Sequence, residues 1–501
     1  MIHRNFWYAA IGLVLLTIVT RIPALLHPKA IDDEGMYAVV ANELVDGGKL
    51  YVDVVDRKPP LLFWTYAGVF KLAGKYNWKA LHILTVVWTL ATMAGLYAIG
   101  RRLFDRATGL MSALLYCVFQ PWATSKNLAL NGELLMNLPI VWAWAIGLRR
   151  SSSFVRPSLF LAGALLGVAF LLKQPAAIAA VPLGFYLLLF ARSRSGEAPS
   201  MSTAFLQAAS LTTGFFGVLN LAVLILWEQG TLRDAAYWIF TDHTVPHIFW
   251  LRAFLHTLAF IGACFPLVMG AVIALRNKGD LWQGKKPERA ALLGLLGASA
   301  IGAAAGARFY PHYYIQLILP LALLAAPYYA RIWSKQTPPS HWLLNPRVTQ
   351  AWLALTAILF FIVHWIGLAS QRELSETGKY LLEHSAPDDR IFVWGQSSNV
   401  YLEAQRRPAC RYITTFPLTG YIFGARVPGL DTRKRILPGA WSILEQDFAK
   451  HPPIYIVESW ADRDKDYPMA NFPILANLVA TKYRPVARTV DSLIYRREDA
   501  H

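Results

Sequence analysis

The sequence is short of charge, of cysteine and of glycosylation sequons. Asp, Glu, Lys and Arg make up only 16% of the 501 residues, against about a quarter in soluble domains, which excludes an ordinary soluble protein over most of the length. The three cysteines, Cys117, Cys264 and Cys410, offer neither a disulfide framework nor metal-ligand spacing. No N-x-S/T sequon occurs, which fits a bacterial envelope protein. There is no fixed-period repeat and no low-complexity tract. His243 and His247 are spaced i, i+4 but have no Glu between them and no third ligand, so they do not make a zinc site.

Apolar residues are what the sequence has in quantity: 55% of the chain, with a mean hydropathy of +0.36. The 18 Trp and 22 Tyr suit two aromatic belts at membrane interfaces. A net charge of +17 would suit nucleic acid, but many of the basic residues lie in short loops between apolar runs. There they read as topology signals facing anionic membrane lipids, and no nucleic-acid partner is expected.

Runs of roughly bilayer length fall near 6–26, 79–100, 107–123, 132–148, 157–173, 175–191, 203–227, 253–275, 288–306, 312–330 and 349–368. They predict a polytopic α-helical membrane protein of about eleven spans. The first lacks a small-residue cleavage site and is expected to be a retained span rather than a signal peptide. Alternate loops are basic: Arg101, Arg102 and Arg106; Arg149, Arg150 and Arg156; Arg192 and Arg194; Arg276, Lys278, Lys285, Lys286 and Arg289; Arg331, Lys335 and Arg347. The positive-inside rule makes these cytoplasmic. The N-terminus is then cytoplasmic, and the region after residue 370 is extracytoplasmic, on the outer face of a plasma (inner) membrane.

The first outer loop, 27–78, is too long for a simple connector. Glu34 to Val45 carries Met36, Tyr37, Val40 and Leu44 on one helical face. Pro59-Pro60 can open a second helix that closes at Gly74, flanked by Lys58 and Lys71, as in a helix lying in the interface. Residues 371–501 change character. Strands are expected at Arg390–Gly395 and Pro453–Glu458, helices at Trp441–His451 and Phe472–Tyr483, and a β-rich end to Tyr495, which together predict a small α/β domain. That domain carries no nucleophile elbow, P-loop or dinucleotide fingerprint.

Four outward clusters can carry chemistry. Asp32-Asp33-Glu34, just before Tyr37, offers carboxylates of the kind that take a proton from an attacking hydroxyl or amine. Crowding should raise the pKa of at least one. Such carboxylates can also collect a divalent cation or simply favour a helix N-terminus. Asp53, Asp56, Arg57 and Lys58 lead into the paired prolines, where a lysine either meets a lipid phosphate or snorkels. Glu133, in Asn131-Gly132-Glu133, sits at a helix start, where a lone glutamate usually favours the dipole. Lys173 and the run Arg308-Phe-Tyr310-Pro-His312-Tyr-Tyr314 bring cations, phenols and an imidazole to the outer face, where an anionic ligand or an outer carboxylate would pair with them.

Asp33-Glu34-Gly35-Met36-Tyr37 and Lys58-Pro59-Pro60-Leu61-Leu62-Phe63-Trp64, followed in order by Asn131–Glu133, Leu172-Lys173-Gln174 and Arg308–Tyr314, resemble the protein O-mannosyltransferase and lipid A aminoarabinose transferase group. The resemblance covers about residues 1–370. It implies a GT-C fold and transfer of one sugar, with inversion, from a polyprenyl-phosphate donor to a glycolipid, polysaccharide or protein acceptor. By the same resemblance Asp33 is the catalytic candidate and Glu133 a supporting acid, to which the residue types add Asp32, Glu34 and Asp56. The resemblance sets Lys58, Lys173 and Arg308 against the donor phosphate, and the residue types of the 308–314 run add Tyr310 and His312. In the aminoarabinose transferases a glutamate precedes the lysine and helps bind a metal. Here that position is Arg57, with Asp56 before it, so a divalent ion, if one binds, falls to Asp33 and Asp56. The rivals are a transporter or lipid flippase, whose paired halves and mid-membrane charges this lopsided plan lacks, and a polymerase or ligase using a diphosphate-linked oligosaccharide.

Overall fold

The computed structural model describes residues 2–149, 157–190, 200–241, 249–276, 281–334, 345–371, 374–421, 431–460 and 466–499. His243, His247 and the loop cations Arg150, Arg156, Arg192, Arg194, Lys278 and Lys335 lie outside the described residues.

Helices occur at every position where the apolar runs predict a span. They are α1 (Ile2–Leu26), α4 (Trp78–Leu103), α5 (Arg106–Phe119), α6 (Gly132–Gly147), α7 (Pro157–Leu172), α8 (Ala180–Leu189), α9 (Met201–Glu228), α11 (Trp250–Ala263), α12 (Phe265–Arg276), α13 (Lys286–Ala304), α14 (Ile315–Trp333) and α15 (Pro346–Ala369). Between them α2 (Glu34–Val45) and α3 (Pro60–Ala73) form in the first long loop, and α10 (Leu232–Phe240) after α9. The starts follow local chemistry: Asn77, Asp105 and Asn131 accept from the amides of Ala80, Thr108 and Leu134, and Pro60 opens α3, which Gly74 closes with φ 95.

Among the described residues, five helices are long and apolar enough to cross a membrane alone, and six if α11 and α12 count as one span bent by 81°. The chain is a multi-pass membrane protein. Two of the apolar runs are not single continuous helices. The 253–275 run breaks at Cys264, and the 175–191 run opens as a 3-10 turn, Gln174–Ala179, before α8. Pro175 and Pro266 stand at these breaks, where a missing amide prevents a continuous ladder. Leu15 of α1, Phe216 of α9 and Leu359 of α15 expose their side chains, as lipid-facing helices do. By contrast α14 is buried along nearly its whole length and forms the axis of the bundle.

The C-terminal region is a five-stranded mixed sheet, order β2-β1-β3-β5-β4, with β1 Arg390–Trp394, β2 Arg407–Pro408, β3 Tyr455–Ser459, β4 Tyr483–Arg488 and β5 Ser492–Arg497. The first three are parallel, in register at Phe392↔Ile456 and Val393↔Val457, and β5 runs antiparallel to β3 and β4. Helices α16 (Glu376–His384), α17 (Asn399–Glu403), α18 (Phe416–Thr419), α19 (Ala440–Lys450) and α20 (Pro473–Lys482) alternate with the strands. The strand and helix positions match the α/β expectation; α16, α17 and α18 were not expected.

This sheet region does not stand apart from the first loop. Arg407 binds the buried Glu43 through Nε at 2.9 Å and Nη2 at 2.5 Å, with Arg390 at 3.6 Å from the same carboxylate. The Val55 amide donates to the Arg411 carbonyl at 3.2 Å. Helix α17 packs on α2 so closely that a Cβ on Gly35 would lie 1.9 Å from Asn399 Oδ1, and the Asn399 side chain would have to move to admit one.

Candidate active site

The four sequence clusters, apart from Asp53, meet at one place, beneath the C-terminal region, at the start of α6, the end of α7 and the start of α14. Asp32 (φ 56), Ala307 (φ 51) and Phe309 (φ 52) all hold left-handed backbone. Non-glycine residues adopt this only when tertiary contacts impose it, and such residues gather at functional loops. The contacts are present: Lys126 Nζ lies 2.6 Å from Asp32 Oδ1, and the Phe309 carbonyl is 2.6 Å from His256 Nδ1.

From Asp32 a chain of charges runs inward. His312 Nδ1 is 3.8 Å from Asp32 Oδ2, and its Nε2 is 3.9 Å from Glu133 Oε1. Glu133 is ion-paired to Lys173, whose ammonium also stands 4.7 Å from the Tyr313 ring centre. A Cβ on Gly132 would sit 2.9 Å from Lys173 Cδ, so the glycine makes room for the lysine to cross the start of α6. Glu133 therefore anchors Lys173, while Asn131 caps the helix.

Asp33 occupies the N-cap position of α2, yet its carboxylate makes no capping bond. Instead it accepts from the Tyr37 hydroxyl at 3.2 Å. The capping reading of the triplet is thus overturned for Asp33. Lys58 Nζ stands 5.7 Å from the centre of the Tyr37 ring. Glu34 is fully buried and works as a staple, accepting from the amides of Ile31 (2.9 Å) and Leu130 (2.6 Å), and so ties the acidic loop to the turn before α6.

These surroundings split the pKa values of the triplet. Burial drives Glu34 up to about 8, and burial with the neighbouring Asp33 charge raises Asp32. Burial also pushes Asp33 up, but Lys58, then His312 and Lys173, with the Tyr37 hydrogen bond, outweigh it and hold its carboxyl below the usual carboxylate range. Crowding does raise carboxyl pKa values here, though not that of the candidate base.

Two cavities adjoin the cluster. The first, about 810 Å³, is lined by Asp32, Asp33, Asp56 and Lys126, by Trp238 of α10, and by Tyr412, Thr414 and Phe416 of the C-terminal region. The second, about 1260 Å³, is lined by Glu133, Lys173, Gln174, Phe240 and the small residues Gly302 to Ala307 at the end of α13. Arg57, Lys58, Arg308 and Tyr313 line both. The second cavity therefore has four cations against one carboxylate, an anion-binding balance, whereas in the first three carboxylates offset the four cations Arg57, Lys58, Lys126 and Arg308.

Residues 57–227 match the family described as dolichyl-phosphate-mannose-protein mannosyltransferase. Among solved structures the chain is similar to ArnT from Cupriavidus metallidurans bound to undecaprenyl phosphate, at 14% identity over 97% of each chain with a TM-score of 0.58. It is also similar to the Archaeoglobus fulgidus oligosaccharyltransferase in the apo form, at 13% identity over 91% of this chain and 69% of that one, with a TM-score of 0.54. No curated protein sequence matches. The chain has the GT-C glycosyltransferase fold. Of the residues singled out from the sequence, Asp32, Asp33, Asp56, Lys58, Glu133, Lys173, Arg308, Tyr310 and His312 line one of the two cavities of this GT-C site, whereas Asp53 lies apart, in a pocket with Glu43, Arg407 and Lys450. Tyr310 lines the first cavity, stacked on His312, and the Asp56 side chain caps the Lys58 amide at 3.0 Å.

For two residues the structure shows the carboxylate pairing that stood as the alternative to an anionic ligand. Lys173 is engaged by Glu133, and His312 sits between two carboxylates, so both reach an anion only in company with those acids. Sequence reasoning missed Lys126, Trp238 and the 412–417 segment as parts of the site, and gave Arg57 no role there. A lysine in a short 3-10 turn and a wall supplied from residues far along the chain leave no local signature. The donor set suits a metal poorly: among the described residues no three His, Cys, Asp or Glu side chains converge as ligands, and Asp33 already faces cations.

Proposed function

We propose that the protein is a membrane glycosyltransferase that moves a single sugar from a polyprenyl-phosphate carrier to an acceptor on the extracytoplasmic side of a plasma (inner) membrane, the N-terminus being cytoplasmic and residues 371–501 extracytoplasmic. The observation that carries this reading is the Asp33 carboxylate, bonded to the Tyr37 hydroxyl, in a cavity that shares the cations Arg57, Lys58 and Arg308 with a second, strongly cationic one. The ArnT and oligosaccharyltransferase likenesses support the fold of such an enzyme, and the undecaprenyl phosphate bound in the former supports the donor class.

In the reaction the acceptor hydroxyl or amine enters the first cavity and attacks the anomeric carbon as the bond to the phosphate oxygen breaks. One bond forms and one breaks in line, so the anomeric centre inverts. The acceptor proton passes to the Asp33 carboxylate, and the electron pair leaves on the lipid phosphate, which Lys58 and Arg308 stabilise and Lys173 supports from its pair with Glu133. Tyr37 orients the base by donating to it. The acceptor is a glycolipid of lipid A type, a polysaccharide or a protein.

The test is mass spectrometry of envelope glycolipids and glycoproteins from a strain lacking the gene, complemented with wild type or Asp33→Asn. A sugar-sized mass should vanish on deletion and return only with wild type. No glycan change on deletion would remove the transferase reading and favour transport instead.

A further inference from the structure

The C-terminal region has no part in the scheme above beyond walling the first cavity, yet it holds the first loop at three places. Helix α2 starts after Asp33 and carries Glu43 in its last turn. Asn399 rests on the first turn at Gly35, and at the far end the buried Glu43 receives the Arg407 fork at 2.9 and 2.5 Å. The third contact falls on the segment that leads into Lys58, where the Val55 amide donates to the Arg411 carbonyl at 3.2 Å. Through Arg407 and Arg411, the Asp33 helix and the Lys58 segment are tied to one stretch of chain, residues 407–417.

That stretch is a strap held from behind by Asp447 of α19. The Asp447 carboxylate accepts from the Arg411 amide at 3.0 Å, from Arg411 Nε at 2.9 Å and Nη2 at 2.7 Å, and from the Cys410 thiol at 3.5 Å. A carboxylate that takes both arms of a guanidinium fork and the main-chain amide of the same residue fixes backbone and side chain together. Farther along, the Thr415 amide donates to the Gly395 carbonyl at 3.2 Å, just past β1, and the Pro417 carbonyl accepts from the Leu437 amide at 2.9 Å. Between these anchors Tyr412, Thr414 and Phe416 line the first cavity.

Asp447 itself lines neither reaction cavity. It borders a third, of about 770 Å³, together with Glu43, Asp46, Asp53, Arg407 and Lys450. Glu43 is engaged there by Arg407 and Arg390, Asp46 by Lys75, and Asp447 by Arg411. These pairings make the pocket a joint between the first loop and the C-terminal region. Transfer in line needs the base and the phosphate-binding lysine at set positions about the anomeric carbon, and a shift of about 1 Å there can cost roughly a hundredfold in rate.

We infer that Asp447 is a positioning residue for sugar transfer: through Arg411 it holds the 407–417 strap, and the strap sets Asp33 and Lys58 relative to each other. The inference rests on the transferase reading above and gives the C-terminal region a part in the rate.

Purified full-length protein is mixed with membranes from the strain lacking the gene, which carry donor and acceptor, and sugar transfer is read by mass spectrometry against the amount of membrane. Monodisperse elution on size exclusion counts the folded fraction. Asp447→Ala should lower the limiting rate per folded protein roughly tenfold to a hundredfold. Hydrogen exchange of residues 33–58 should quicken in that variant, and exchange of α14 should not. Asp447→Asn keeps an oxygen for the Arg411 amide, should fall between, and guards against a misfolded alanine variant. Tyr483→Phe removes a buried 2.8 Å hydrogen bond to the Pro453 carbonyl at the opposite edge of the sheet, and should leave the rate per folded protein as in wild type. An Asp447→Ala rate equal to that of wild type, a matching loss in Tyr483→Phe, or unchanged exchange at 33–58 overturns the inference. So does the absence of folded protein in both Asp447 variants, the mark of a purely stabilising residue. Wild type that transfers no sugar with these membranes removes the transferase reading itself, and the inference with it.

Discussion

Replacing Lys173 by Met tests whether the inner half of the site is a buried ion pair. The lysine side chain is 13% exposed and that of Glu133 1%, so both charges are largely cut off from water. Deleting one partner of such a pair strands the other, at a cost of about 3–5 kcal/mol. His312 Nε2 remains 3.9 Å from the same carboxylate oxygen and offsets part of that cost. The expected loss is therefore at the low end, about 3 kcal/mol. Adding Glu133→Gln to K173M removes the stranded charge and should bring stability back to within about 1 kcal/mol of wild type, since neutral replacement of a whole pair is often benign. Equilibrium unfolding in mixed detergent micelles, followed by tryptophan fluorescence, gives all three values. A K173M protein within about 1 kcal/mol of wild type, or a double variant no more stable than the single one, would refute the buried pair and with it the anchoring of Lys173.

Other consequences can be measured separately. Because Asp33 is held below the usual carboxylate range, its stabilising contribution is present above the ordinary Asp pKa and is lost as pH falls through the lowered folded value. The kcat/KM profile should accordingly show no Asp33 limb above about pH 4; a limb near pH 6 that persists in Asp32→Asn/His312→Gln protein would contradict this. Glu34 has the opposite sign. With its carboxyl raised from 4.5 to about 8, the folded state holds the proton more tightly, so stability falls as pH rises through that window, and the slope should flatten in Glu34→Gln. Unfolding midpoints from pH 5 to 8 measure it. Arg407→Ala should cost about 1–3 kcal/mol, less than a fully buried pair because Arg390 remains beside Glu43 and the Arg407 side chain is 33% exposed. An unchanged thermal midpoint in that variant would mean that Glu43 does not hold the first loop to the C-terminal region.

Much of the architecture was legible because bilayer-length apolar runs leave little choice. Helices α4, α6 and α15 begin or end within a few residues of the hydropathy limits. One apolar helical face located α2, the paired prolines and Gly74 located α3, and short apolar alternations located β1 and β3. The site was legible as a set of residue types on one predicted face, since Asp32, Lys58, Glu133, Lys173 and His312 are all polar groups at the ends of apolar helices. What stayed hidden depends on distance along the chain. Nothing local shows that Arg407 reaches Glu43, that Asn399 rests on Gly35, or that Tyr412 and Phe416 wall the first cavity. Nor does a row of three acids reveal that the middle one is held low while its neighbours rise. That ordering is set by Lys58, His312 and Lys173, which arrive from three other segments.

The central claim is that Asp33 takes the acceptor proton at a site whose donor binding it does not control. Undecaprenyl phosphate affinity and sugar transfer should be measured side by side for purified wild type and Asp33→Asn. The account predicts that the variant binds the lipid phosphate within about threefold of wild type, because the carboxylate contributes nothing attractive to an anion, yet transfers no detectable sugar. Transfer at more than about a hundredth of the wild-type rate by a well-folded Asp33→Asn protein would contradict it, because loss of a general base costs about 10²–10⁴.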